Sequence, residues 1–322
     1  MGEDPTVKIG IIGLPNAGKS TIFNALVHAR VPVQKHPFTT IEPNVGMVHL
    51  PEPRLDRLAA LFGPERTVPA SVKFTDIAGL VEGASHGEGL GNQFLANIRE
   101  TAALAHVVRL FPAADVAHVL GGIDPVRDVE VVKTELMLSD LELVEKRLGK
   151  VLKGRQADPR LDEELKEVLE SVQSRLEKGE ECRGTPLAEK ATALLPDLSL
   201  LSLKPVIYVG NVGEDDLGKE TPALAALREK ARREGAGVVA LCGKLEEEVG
   251  DLPPEEQGTY RESLGLQEPG LALLAAAAKE LLGLVVFFTK EGVEVRAWTV
   301  RIGTTARKAA GVLRQMGHAA AE

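Results

Sequence analysis

Hydrophobic positions along this chain change their spacing three times. In residues 1–128, compact apolar runs alternate with helix-spaced ones. Val7–Ile12 reads as a first strand, Ile22–His28 as a helix and Ser71–Asp76 as an alternating strand. Asn92–Ala105 reads as a further helix and His106–Phe111 as a buried strand. Strands separated by helices predict an α/β domain with a largely parallel sheet. From Val129 the apolar positions move to three- and four-residue steps, at Leu141, Val144, Leu148 and Val151. After Gly154–Pro159 they resume at Leu165, Val168, Leu169, Val172 and Leu176. Two charge-rich amphipathic helices joined at a Gly/Pro break predict an antiparallel helical hairpin, packed or projecting as an arm.

The strand–helix pattern then returns at Lys204–Asn211, Ala223–Glu234 and Gly237–Cys242. The hairpin is therefore read as an insertion: 1–128 and 204–281 form one domain around an arm at 129–203. The last regime, 282–322, reads as a β-hairpin of Val285–Thr289 and Val293–Val300 about a Lys-Glu-Gly turn. A helix over Ala306–Met316 follows, capped at Thr304-Thr305.

Composition narrows the class without deciding it. At 322 residues the chain exceeds the ~250–300 at which single cores stop growing. A net charge of −9 argues weakly against a protein coated in nucleic acid, and DNA is not expected as a partner. Local basic stretches at Lys146–Arg155 and Lys290–Arg314 are either phosphate-facing or solvated faces. Two cysteines, Cys182 and Cys242, make no disulfide framework and suit a reducing compartment. With no secretory leader pattern and no apolar run of ~18 residues, a soluble cytoplasmic protein is expected, with no membrane partner.

The chemistry concentrates in Gly13-Leu-Pro-Asn16-Ala17-Gly18-Lys19-Ser20-Thr21, set between the first strand and the first helix. That order makes a phosphate loop. Gly13 and Gly18 allow close backbone approach, N–H groups at the helix start face phosphate oxygens, and Lys19 brings a mobile charge. The Ser20 hydroxyl is a Mg²⁺ ligand of the kind this loop supplies. Asp76-Ile-Ala-Gly79, at a strand end, adds an acid for Mg²⁺ and a glycine N–H for the γ-phosphate. A threonine between the two motifs, Thr39 or Thr40, is the expected further Mg²⁺ ligand. The base end departs from GTPases. A guanine-reading strand ends Asn-Lys-x-Asp, whereas this one ends Asn211-Val212-Gly213-Glu214. Glutamate is one methylene longer and misplaces its carboxylate, so ATP is the expected nucleotide. Leu80 stands where a water-orienting glutamine is usual, and a leucine cannot bond water. His118 is the candidate replacement.

These stretches, with His36-Pro-Phe-Thr-Thr-Ile-Glu-Pro-Asn44, Asp76–Asn92 and Val295-Arg-Ala-Trp-Thr-Val300, resemble the YchF / Obg-like ATPase family over essentially the whole chain. The resemblance implies an Obg-type P-loop NTPase domain of α/β class, with an inserted antiparallel coiled-coil helical arm and a C-terminal β-grasp (TGS) module. It implies Mg²⁺-dependent hydrolysis of ATP in preference to GTP. It also implies association with the ribosome, by expectation the large subunit, with arm and TGS module touching ribosomal RNA or protein. A catalytic role for His118, beside Lys19 and Gly79, comes with it, as does the choice of Thr40 over Thr39 for Mg²⁺. The alternatives are an Obg-like GTPase in ribosome assembly and a nucleotide-gated adaptor with negligible hydrolysis. Ala17, Glu82, His86, Gln93 and Gly213 depart from the family's usual residues, and Glu82 brings negative charge to the switch. The C-terminal module reads as shortened, which predicts an open sheet edge and an exposed apolar helix face.

Overall fold

Two buried strands at the centre of a parallel sheet organise the chain. The structure, a computed structural model, describes residues 8–28, 44–76, 90–112, 118–153, 159–266 and 268–315. In chain order the first part runs β1 (Lys8–Ile12), α1 (Lys19–His28), β2 (Val45–His49), α2 (Pro53–Phe62), β3 (Arg66–Val68), β4 (Ser71–Asp76), α3 (Leu90–Arg99) and β5 (Ala103–Arg109). The helical middle comprises α4 (Pro125–Lys153), α5 (Pro159–Glu177) and α6 (Pro186–Leu194). The sheet then resumes with β6 (Val206–Asn211), α7 (Pro222–Glu234), β7 (Gly237–Leu241), α8 (Gly243–Gly250), α9 (Pro254–Ser263) and α10 (Gly270–Leu281). β8 (Leu284–Glu291), β9 (Glu294–Arg301) and α11 (Ala306–Gln315) close it.

The main sheet has the order β2-β4-β1-β5-β6-β7, parallel throughout except for β2, which lies antiparallel on β4 at one edge. Every residue of β5 and β6 is buried, as strands covered on both faces require. Here one expected boundary moves. The helix read as Asn92–Ala105 ends at Arg99, and Ala103-Leu104-Ala105 belongs to β5. Alanine favours helix by less than ~1 kcal/mol per residue. That preference loses to ladder bonds on both sides, where Ala103 to Ala105 align with Ile9 to Ile11 of β1 and Leu104 and Ala105 with Val206 and Ile207 of β6. Thr101 ends α3 by directing its N–H and hydroxyl to the Ile98 carbonyl.

α4 is continuous for 29 residues and crosses position 129, so no break in secondary structure marks the arm's base. Its first half packs Val129, Val132 and Leu136 into the core on one face of the sheet. Its second half joins Met137, Val144 and Val151 to Leu165, Val168, Leu169 and Val172 of α5 and Ala191 of α6 in a separate apolar cluster. Where the two meet, Asp140 is fully buried. It accepts from Arg99 Nη1 at 2.7 Å, from the Leu201 and Ser202 N–H groups at 3.0 and 2.7 Å, and from the Ser202 hydroxyl at 2.7 Å. A carboxylate so deep is tolerated because every lone pair has a donor.

The C-terminal hairpin is not left open on both sides. β8 and β9 pair antiparallel about Gly292-Val293, one residue beyond the expected turn, with Gly292 at φ 53°. β3 then pairs parallel with β9, giving the order β3-β9-β8. The expected exposed edge is therefore corrected on the β9 side, by a strand from the nucleotide domain. Leu284, Val286, Val295 and Ala297 share one core with Ile9, Phe74 and Leu274. Thr305 caps α11, its hydroxyl accepting from the Lys308 N–H at 3.4 Å.

Candidate nucleotide site

The phosphate loop turns on backbone that only glycine holds without strain. Gly13 has φ 147°, and a Cβ there would lie 2.4 Å from the Val107 carbonyl oxygen. Gly18 has φ 93°, and its Cβ would lie 2.1 Å from Asn211 Nδ2. The two glycines serve the loop's own packing on β5 and β6 as well as approach to a ligand. Asn16, at φ 62°, is exposed at the loop's crest and Ala17 is buried beneath it. The Ala17 N–H donates to the Leu14 carbonyl at 3.3 Å. Lys19, Ser20 and Thr21 form the first turn of α1, with Ser20 exposed and Thr21 half-buried. Unpaired N–H groups at a helix start favour anions.

Lys19 is buried, and its Nζ donates to the Leu14 carbonyl at 2.7 Å. Burial brings its pKa down to about 8, with the Asp76 carboxylate opposing that shift. Asp76 ends β4 opposite Ile11. Its own pKa is raised by burial, with Lys19 pulling the other way. An exposed hydroxyl at Ser20 and a half-buried carboxylate at Asp76 are hard oxygen donors, which fits Mg²⁺ completed by phosphate oxygens and water. Among the described residues no group of three His, Cys, Asp or Glu side chains is placed to hold a metal ion. Thr40 and Gly79 lie outside the described residues, as do Leu80, Glu82 and His86.

At the base end, Asn211 is bonded within the protein. Its Nδ2 donates to the Ala17 carbonyl at 3.0 Å and its Oδ1 accepts from the Gly243 N–H at 3.0 Å. The buried amide thus ties the phosphate loop to β6 and to the start of α8, and its acceptor is committed within the protein. Val212 is buried beside it. Glu214 starts a short 3-10 turn, and its Oε1 meets Lys244 Nζ at 2.8 Å. Lys244, three residues past Leu241 of β7, carries no local motif, and its place opposite Glu214 arises from the pairing of β6 with β7.

His118 is turned toward the chain itself. Its Nε2 lies 2.8 Å from Asp128 Oδ2, and its Nδ1 accepts from the Leu120 N–H at 3.2 Å. In this conformation neither ring nitrogen is open to a water. The ring nonetheless lines a small cavity with Leu14, Pro15 and Ala17 of the phosphate loop. Asp128 was not legible as a partner, because a contact ten residues away, from loop to helix, follows no short-range pattern.

A family model described as a 50S ribosome-binding GTPase matches residues 8–145. The ribosome-binding ATPase YchF of Escherichia coli O157:H7 is 46% identical over 304 residues, covering 94% of this chain and 84% of that protein. Its counterpart in Bacillus subtilis (strain 168) is 44% identical over 309 residues, with 94% and 84% covered. Among solved structures, the Schizosaccharomyces pombe YchF GTPase matches with a TM-score of 0.82 at 32% identity, over 98% of this chain and 86% of that one. Identity of that extent, running from the phosphate loop through the helical middle to the C-terminal sheet, means that the chain belongs to the YchF family of P-loop nucleotide-binding proteins.

Proposed function

We propose that this chain is a Mg²⁺-dependent nucleotide hydrolase that takes ATP in preference to GTP and acts as a nucleotide-dependent switch on the ribosome. The observation that carries the nucleotide preference is Glu214: a glutamate replaces the guanine-reading aspartate, and its carboxylate is engaged by Lys244. Both partners are largely exposed, so solvent screens the pair and it adds little by itself. The preference therefore rests on the length of the side chain and on adenine's having no 2-amino group to satisfy. Lys19 and the N–H groups of Ala17 to Thr21 would hold the phosphates. Ser20 and Asp76, with Thr40, would hold Mg²⁺, which neutralises charge on the terminal phosphates. The Gly79 N–H would sense the γ-phosphate, and His118 would address water. The relatives' name, ribosome-binding ATPase, supports the partner, with the arm and the C-terminal β-grasp segment as the surfaces that change with nucleotide.

The rival is a GTPase, favoured by the description of the matching family model and of the yeast structure. Calorimetric titration with ATP and GTP side by side separates them. ATP is expected to bind at least about tenfold more tightly, a difference of ~1.4 kcal/mol. GTP binding as tightly as ATP overturns the base-pocket argument. The paired change Val212→Lys with Glu214→Asp is expected to move preference toward GTP.

A further inference from the structure

We propose that Asp128 is a positioning residue that decides which nitrogen of His118 can take a proton. The inference rests on the hydrolysis reading above and goes beyond it to a residue on the arm helix. An amide N–H can only donate, so the 3.2 Å contact from Leu120 makes Nδ1 the acceptor nitrogen. The ring proton then sits on Nε2 and is donated to Asp128 Oδ2 at 2.8 Å. Asp128 is itself held. Arg127 grips its other oxygen, Oδ1, with Nη2 at 2.8 Å and Nε at 3.1 Å. The same guanidinium donates to the carbonyls of Leu120, Gly121 and Gly122, so turn, imidazole and carboxylate form one unit. The side chains of His118 and Asp128 are 8% and 4% exposed, and both line the cavity behind Leu14, Pro15 and Ala17.

This is the arrangement of an oriented base: one nitrogen fixed by a carboxylate, the other carrying the lone pair. Among the described residues, Nδ1 is covered by a peptide N–H of its own turn, that of Leu120. Moving that peptide uncovers Nδ1 without breaking the bond between Nε2 and Asp128. A water then gives its proton to Nδ1 as its oxygen bonds the γ-phosphorus. The bond from γ-phosphorus to the β–γ bridging oxygen breaks, its electron pair leaves on the diphosphate, and Nδ1 returns the proton to solvent. The imidazolium formed in between lies against the Asp128 carboxylate, which stabilises it.

Asp128→Asn tests the assignment, because Arg127 demands an acceptor at Oδ1. Arg127 would claim the asparagine oxygen and turn its NH₂ toward His118, inverting the tautomer. The expected result is a fall in kcat for ATP of roughly tenfold or more, with KM within about twofold. In a His118→Ala background the same change should cost nothing further. An unchanged kcat, or a full further loss in that background, overturns the proposal. Histidine ¹⁵N–¹H correlation spectra of the native protein give a test that needs neither turnover nor a folded Asp128 variant. His118, assigned by the resonance lost in His118→Gln, is expected as the Nε2–H tautomer, and an Nδ1–H tautomer overturns the proposal. A native protein that binds ATP without hydrolysing it would sink the hydrolysis reading alone, leaving the tautomer assignment to stand or fall by its own spectrum.

Discussion

Lys19 shows how one residue's surroundings set the behaviour of the whole site. Its ammonium is drawn out of water, so its pKa falls to about 8. A bound triphosphate favours the charged form. Below pH 8 the charge is already present, whereas above it the proton must be taken up on binding. Affinity should therefore fall as pH rises, by about tenfold between pH 7 and 9. Calorimetry in two buffers of different ionisation heat checks this, since proton uptake at pH 9 makes the observed heat buffer-dependent. A pH-independent affinity with buffer-independent heat would falsify it. The phosphate loop was legible because its chemistry is local: glycines, lysine and hydroxyl stand within nine residues and the flanking strand and helix confirm them. Asn211 was legible as a candidate at the base end, but its bonds to the phosphate loop and to α8 were not. The 2.1 Å that a Cβ at Gly18 would leave to its Nδ2 is a relation between residues far apart in sequence, which no spacing reveals. The bond from His118 to Asp128 was hidden for the same reason.

At the scale of elements, sequence periodicity located the long helices and the central strands but not where tertiary pairing would cut them. Alanines favoured helix through Ala105 until two neighbouring strands claimed them. α4 links the nucleotide domain to the arm, and its polar contacts fasten it along its length. Lys133 and Lys230 meet at Glu234, whose other oxygen accepts from Tyr208, so α4, α7 and β6 share one part-buried carboxylate. Asp140 does the same for α3, α4 and the 3-10 turn at Leu201–Leu203. α3 starts at Leu90, eleven residues past Gly79, and its last residue, Arg99, bonds Asp140 of α4. Asp140→Ala would take the counter-charge from Arg99 and the acceptor from two buried peptide N–H groups. The expected cost is about 3–5 kcal/mol of stability, read from the urea midpoint at unchanged slope. A loss below about 1 kcal/mol would mean that the cluster is not a structural joint.

At the scale of the molecule, the distribution of apolar contacts decides what unfolds with what. The C-terminal hairpin could have been an appendage, as its position in the chain suggests. Instead β3, which lies between α2 and β4 in sequence, supplies its third strand, and Val295 and Ala297 sit in the same core as Ile9 and Phe74. The chain's single tryptophan reports on this directly. Trp298 is buried in β9, its ring stacked near Phe287 with centroids 6.5 Å apart and its Nε1 donating to Thr289 Oγ1 at 2.8 Å. Its fluorescence follows the hairpin, while far-UV circular dichroism follows the helices. If hairpin and nucleotide domain form one cooperative unit, the Trp298 transition coincides with the main dichroism transition on heating. Saturating ATP, bound only at the phosphate loop, should then raise the midpoint of the Trp298 signal too, because ligand at 100 times its Kd adds roughly 2.7 kcal/mol to the whole unit it binds. The arm has its own apolar cluster, so a minor dichroism phase that leaves fluorescence unmoved is compatible with that unit. A Trp298 transition that comes first and ignores ATP would show that the hairpin folds on its own and that the shared core does not couple it to the nucleotide.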